Sequence, residues 1–181
     1  MIVAQEKRKK NIAEYILYMW QVEDLIRALD FDLKKIEDTL VAQYQADEQQ
    51  KKEIVDWYSN LTIMMQKEQV QQTGHLQILV NLINDLNRFH QALINQHTDA
   101  EYSLLYADIK GDLDLVRQKS GKDDHDIEVA MNTLYLILML KMKNKEVSEG
   151  TQKAVWKFGN FMGHLSKLFR TYEAGDLELV Y

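Results

Sequence analysis

The chain has 181 residues, of which 46% are apolar and 28% charged, and its net charge is −6. This charge disfavours nucleic acid and anionic membranes as partners. The absence of cysteine excludes disulfides, thiolate metal sites and cysteine nucleophiles. The absence of proline and the low number of glycines predict long helices with short connections in one domain, residues 1–181.

The first predicted helix covers residues 5–29. Its apolar residues recur at spacings of three and four, as in an amphipathic helix, and they are Ile12, Ile16, Met19, Val22, Ile26 and Leu29. Glu23 and Arg27 are four residues apart in the order that favours an ion pair on the helix surface. A short helix is expected after Asp32.

Two further helices are predicted, one capped by Asp47 and one over residues 74–96. Gly74 indicates a turn or a kink between them, but the pattern also permits one continuous helix. The apolar stripe of the second helix contains a single polar residue, and its members are Leu76, Leu79, Ile83, Leu86, His90 and Leu93.

Residues 97–125 form the least regular part of the sequence. Short helices are expected near 101–108 and 112–119, ended by Gly111 and Gly121. The following stretch, residues 126–143, contains the run LYLILML at 134–140 and is predicted to be a helix. Because a helix that is apolar on every side must be surrounded by others, we expect this helix at the centre of the protein.

The last predicted helix, residues 151–172, has a heptad-like apolar seam formed by Val155, Phe158, Met162, Leu165, Phe169 and Tyr172. Gly159 and Gly163 lie four residues apart on another side. Each costs about 1 kcal/mol relative to alanine, which the close approach of a helix, within the domain or across a dimer, would offset. The apolar tail after Gly175 is predicted to pack back onto the protein.

No strong catalytic or metal-binding motif is present: there are no paired Glu-x-x-His repeats, zinc motif or phosphate-binding loop. The best constellation is Glu14, Tyr18 and Gln21 on the first helix with His90 on the fourth. If these helices are neighbours, the four residues line a polar pocket suited to proton transfer or metal binding. The alternative is a hydrogen-bonded polar layer that sets the helix register. Helical spacing favours core packing over a ligand cage for the tryptophans, Trp20, Trp57 and Trp156.

The opening MIVAQEKRKKNIAEYILYMWQVEDLIRAL, the stretches EIVDWY, GHLQ and NTLYLILMLKMK, and the EAGDLEL tail resemble the domain-of-unknown-function 4924 family of bacterial proteins from Bacteroidetes. The resemblance covers essentially the whole chain and implies a cytoplasmic helical bundle. It implies no reaction and no functional residues. It also implies glycine at position 69, where this chain has Gln69.

We therefore expect an all-α, single-domain bundle of about six to eight helices around the helix at 126–143. The missing catalytic motifs, the face of Gly159 and Gly163, and the apolar tail favour a non-enzymatic module that self-associates or binds a protein. Its expected location is cytoplasmic, without cofactor or metal, and without nucleic-acid or membrane partners. The alternative is a small-molecule or metal-binding protein, possibly an enzyme, with its pocket at Glu14 and His90.

Overall fold

The structure is a computed structural model that describes residues 2–179. Its α-helices, in chain order, are α1 (Ile2–Lys10), α2 (Ile12–Ala28), α3 (Leu33–Thr39), α4 (Glu48–Lys67), α5 (Gln77–Gln96), α6 (Ala100–Ser120), α7 (Asp126–Met142) and α8 (Glu149–Glu173). A 3-10 turn covers Val41–Gln43, and the described residues contain no strand. The predicted all-α helical bundle is confirmed. No described helix has the length and apolar character needed to cross a bilayer.

Backbone contacts divide the described residues into two compact units, so the prediction of one domain over residues 1–181 stays a prediction. Unit 1 comprises residues 2–9 and 14–81, and unit 2 comprises residues 10–13 and 82–179. In unit 1, α3 packs against α4 and the 3-10 turn. In unit 2, α6, α7 and α8 pack against one another. The largest buried side chains include Trp20, Ile26 and Met65 in unit 1 and Phe89, Tyr102 and Phe161 in unit 2.

Two predicted helix boundaries are wrong. The helix expected over residues 5–29 is interrupted at Asn11, where α1 ends and α2 begins one residue later. Conversely, α6 is a single helix that continues through Gly111 and ends at Gly121, whose φ of +67° is left-handed. Ile109 and Leu113 are buried on either side of Gly111, and this burial outweighs the about 1 kcal/mol cost of one helical glycine. The segment from 74 to 96 is separate from α4.

Among the described residues, four helices are followed within two residues by a left-handed residue that is not glycine: Asp30, Gln69, His97 and Asn144. After α4, the N–H of Val70 donates to the carbonyl of Met65 at 3.0 Å, and the N–H of Gln69 donates to that of Gln66 at 3.2 Å. These two bonds are the Schellman arrangement, which usually places glycine where Gln69 stands. The φ of Gln69 is +59°, so the glycine expected at this position from the family resemblance matches the backbone.

Helix α7 is more exposed than predicted. Its first half is buried at Ile127, Ala130 and Met131, but Leu136 is 59% exposed in the second half. Within unit 2, α6 and α8 pack against this helix, and Tyr106 of α6 binds its first residue, Asp126. Apolar composition alone does not reveal where such coverage ends. At the C-terminus, Leu177 and Leu179 are half-buried, and the rest of the predicted tail contact lies outside the described residues.

Candidate functional site

Unit 1 places a buried carboxylate against a histidine. Glu23 on α2 is fully buried, and its Oε2 lies 2.5 Å from Nδ1 of His75. Its Oε1 accepts the backbone N–H of Leu76 at 2.8 Å. The His75 ring stacks on Trp20 with the ring centres 4.3 Å apart. A buried carboxylate is costly without donors, and these two contacts supply one donor to each oxygen.

Arg27, one turn after Glu23, fixes the same connection between α4 and α5. Its guanidinium donates to the carbonyls of Val70 at 3.0 Å and Gly74 at 2.5 Å, and it pairs with Asp24 at 2.7 Å. The predicted Glu23–Arg27 ion pair is wrong, because each residue binds the segment 68–76 instead. An i,i+4 pair contributes only a few tenths of a kcal/mol, so the buried donors and acceptors of this segment outcompete it.

The Glu23–His75 pair fixes the tautomer of the imidazole. Because the carboxylate only accepts hydrogen bonds, we assign a proton to Nδ1, and in the neutral ring Nε2 is then the accepting nitrogen. The His75 side chain is 28% exposed, so this nitrogen is within reach of a small molecule. A carboxylate that orients a histidine is a common support for general bases. The described residues contain no group of three His, Asp or Glu residues suited to a metal ion.

Unit 2 contains a second polar cluster around His90, which is fully buried on α5. Its Nδ1 lies 2.7 Å from the hydroxyl of Tyr102, and the ring packs edge-on against Tyr106 and Phe161. Its Nε2 is 3.5 Å from Asp126 Oδ2 and makes no hydrogen bond within the described residues. The His90 side chain is only 1% exposed, so it lies in the interior of unit 2.

Asp126, at the start of α7, joins three neighbours. The hydroxyl of Tyr106 donates to its Oδ2 at 2.6 Å, and Arg117 donates to its Oδ1. His90 first, and then Tyr106 and Arg117, hold the pKa of Asp126 well below its ordinary value against the opposing effect of burial. Burial and the hydrogen bond to Asp126 raise the pKa of Tyr106 to about 12. The cluster therefore holds an ionised carboxylate at neutral pH and ties α6 to α7.

The predicted pocket residues are divided between the units: Glu14, Tyr18 and Gln21 belong to unit 1 and His90 to unit 2. Glu14 has a side chain 59% exposed and lies 3.6 Å from Lys7. Tyr18 is hydrogen-bonded to another tyrosine of unit 1, and burial raises its pKa. Gln21 is half-buried. Their role as one site with His90 stays a prediction.

The outer face of α8 carries the predicted interface glycines. A Cβ built on Gly159 or Gly163 meets no atom within 4 Å, so the close approach expected within the domain is absent among the described residues. Trp156, on the same face, is 69% exposed, which makes its predicted core position wrong. Its place outside the heptad seam, three and seven residues before the glycines, was the sequence signal for this exposure. His75 had no comparable signal, because it is 52 residues from Glu23.

Comparison with known proteins adds a family but no activity. A family model described as domain of unknown function (DUF4924) matches residues 1–176. Neither the curated proteins nor the solved structures contain a match.

Proposed function

Because the chain belongs to the DUF4924 family, whose description states no activity, we propose from the geometry that it is a self-associating helical protein. The proposed contact surface is the outer face of α8, around Trp156, Gly159 and Gly163. The partner that we propose is a second copy of the chain. The cytoplasmic location and the bacterial origin expected from the sequence stay predictions, and fractionation of the source cells tests the location.

One observation carries this proposal: an exposed tryptophan lies beside two glycines that face open space on the same helix face. Trp156 is 69% exposed, and nothing lies within 4 Å above Gly159 or Gly163. Tryptophan is enriched at the energetic centres of protein interfaces. The two glycines weaken α8 by about 1 kcal/mol each, and no close neighbour among the described residues offsets this cost. A helix from a second chain, packed against the two glycines, would offset this cost.

The experiment is native mass spectrometry of the wild type, Trp156→Ala and a matched control over a range of concentrations. The control is Ile78→Ala, which removes an apolar side chain that is 58% exposed on α5 of unit 1. We expect a dimer for the wild type and Ile78→Ala and a monomer for Trp156→Ala at the same concentration. A wild type that stays monomeric at high concentration would overturn the proposal, as would a Trp156→Ala dimer of unchanged affinity.

We also infer a second candidate function, a small-molecule site at His75. The observation that favours it is a partly exposed imidazole whose Nδ1 is held by buried Glu23 and whose ring rests on Trp20. Such a site fits a weakly acidic ligand that donates a proton or hydrogen bond to Nε2. Ligand-observed NMR with a set of small carboxylic acids and phenols tests it. Binding that is lost in His75→Gln at unchanged melting temperature supports this function, and binding that is absent or persists in the variant counts against it.

A further inference from the structure

We propose that two copies of α8 pack antiparallel about a two-fold axis, with Trp156 of each copy over the partner's Gly163. This inference rests on the proposed self-association and adds its geometry. It names which residues face one another, and it distinguishes this dimer from a parallel pair of helices and from a contact elsewhere on the protein.

We place the two-fold axis between Gly159 and Asn160, midway between Trp156 and Gly163, and call this point the centre of the exposed face of α8. Successive helix residues are rotated by about 100°, so Trp156 and Gly163 lie close to the midline of this face on opposite sides of the centre. The other exposed residues near the midline are Glu149, Gln152, Lys167 and Arg170. The opposite face is buried in unit 2, and its residues are Phe158, Phe161, Leu165 and Phe169.

A two-fold axis through this centre makes the face complementary to itself. Trp156 lies about one turn before the axis and Gly163 about one turn after it, so the bulky side chain meets the partner's open position. Glu149 and Arg170 lie about three turns from the axis in opposite directions, and each faces the partner's opposite charge at a shallow crossing angle. The antiparallel helix dipoles also attract.

A parallel arrangement of the same faces lacks this complementarity. It would place Trp156 against the partner's Trp156 and leave both Gly163 positions uncovered, while Arg170 would face the partner's Arg170. Like charges opposite one another oppose association, and an uncovered glycine forfeits the packing contacts that the tryptophan would make. Size and charge on one helix therefore both favour the antiparallel register.

The first test uses single cysteines, which are unambiguous because the chain has none of its own. Asn160→Cys, next to the axis, should cross-link to itself with a short bismaleimide. Lys167→Cys alone should not, because its two copies lie about 22 Å apart, but it should cross-link when mixed with Gln152→Cys. Lys110→Cys, at an exposed position on α6, is the control for random collision.

The outcomes separate the register from self-association. A dimer in which Lys167→Cys cross-links to itself refutes the antiparallel register and leaves the proposed function standing. A dimer without cross-linking at Asn160→Cys places the interface elsewhere or joins the copies in another register. A protein that is monomeric in native mass spectrometry and cross-links at none of these positions refutes both proposals. A reproducible complex with another protein instead of a dimer would also refute them and would assign the outer face of α8 to that partner.

The second test reverses the charges in pairs. Glu149→Arg and Arg170→Glu should each weaken the dimer about tenfold, because two opposite-charge contacts become repulsive. A one-to-one mixture of the two variants should recover most of the lost affinity, since the mixed dimer again has opposite charges at both contacts. Each chain keeps its own change at the helix end, so recovery cannot come from a repaired helix dipole. A mixture as weak as the separate variants would overturn the pairing.

Discussion

The substitution Trp156→Ala gives the most direct measure of the α8 interface. The side chain is 69% exposed, and a tryptophan buries up to about 250 Å² when it is covered. Covering the remainder removes about 170 Å² from water per copy, which corresponds to about 4 kcal/mol at about 25 cal/mol per Å². Ordering the side chains at the interface offsets part of this free energy. We therefore expect Trp156→Ala to reduce the free energy of dimerisation by about 2 kcal/mol per copy, or about 4 kcal/mol per dimer.

A loss of this size weakens the dimer about a thousandfold, since each 1.4 kcal/mol corresponds to about a factor of ten. Sedimentation equilibrium of the wild type, Trp156→Ala and Ile78→Ala gives the three dissociation constants. The melting temperature of Trp156→Ala, measured at a concentration where the wild type is monomeric, should be nearly unchanged because the side chain is exposed in the single chain. A dissociation constant within a few-fold of the wild type would refute the area argument.

Three further changes test other parts of the structure. Gln69→Gly relieves the left-handed backbone after α4 and should raise the free energy of unfolding in urea by about 0.5–1 kcal/mol; Gln66→Gly, inside the helix, should lower it. Asp126→Asn should cost about 2 kcal/mol at pH 7, and this cost should shrink progressively in acid and vanish only once the folded protein's own carboxyl is protonated. The lowered pKa of Asp126 contributes stability above the unfolded value of about 3.9, and acid titration removes it as the pH falls below about 5. In thermal unfolding, Glu23→Gln should lower the free energy of unfolding by about 1–3 kcal/mol. The half-exposed control Asp24→Asn should lower it by less than about 0.5 kcal/mol. Equal losses would contradict a stabilising role for the contact between Glu23 and His75.

The helices were largely predictable because their signals are local. The cap at Asp47 and the apolar periodicity of α5 and α8 depend on residues within a few turns of one another. The break at Asn11 was not predicted, because residues 5–12 contain neither glycine nor proline to mark it. The sequence also could not show that Gly111 lies inside α6, since a glycine marks a helix end only when burial on both sides does not outweigh its cost.

The site residues were harder to predict because their contacts join distant parts of the chain. Arg27, four residues after Glu23, was a plausible partner, but in the structure Glu23 binds His75, 52 residues away. His90 was identified from its place on an apolar stripe, yet Asp126, 36 residues later, decides its surroundings. Gly159 and Gly163 were recognisable because helical spacing alone puts them on one face, and the same spacing places Trp156 beside them.

The contacts that Glu23 and Arg27 make with the connection between α4 and α5 also determine how the amides of this segment exchange hydrogen with water. The amide of Leu76 precedes α5 and belongs to no helical ladder, but it donates to a carboxylate with no solvent exposure. That amide can exchange only when Glu23 is exposed, so its protection follows the opening of unit 1 rather than the breathing of a loop. Arg27 holds the carbonyls of Val70 and Gly74 in the same segment, and we therefore expect residues 68–76 to open together with α2 and to resist proteases while unit 1 is folded.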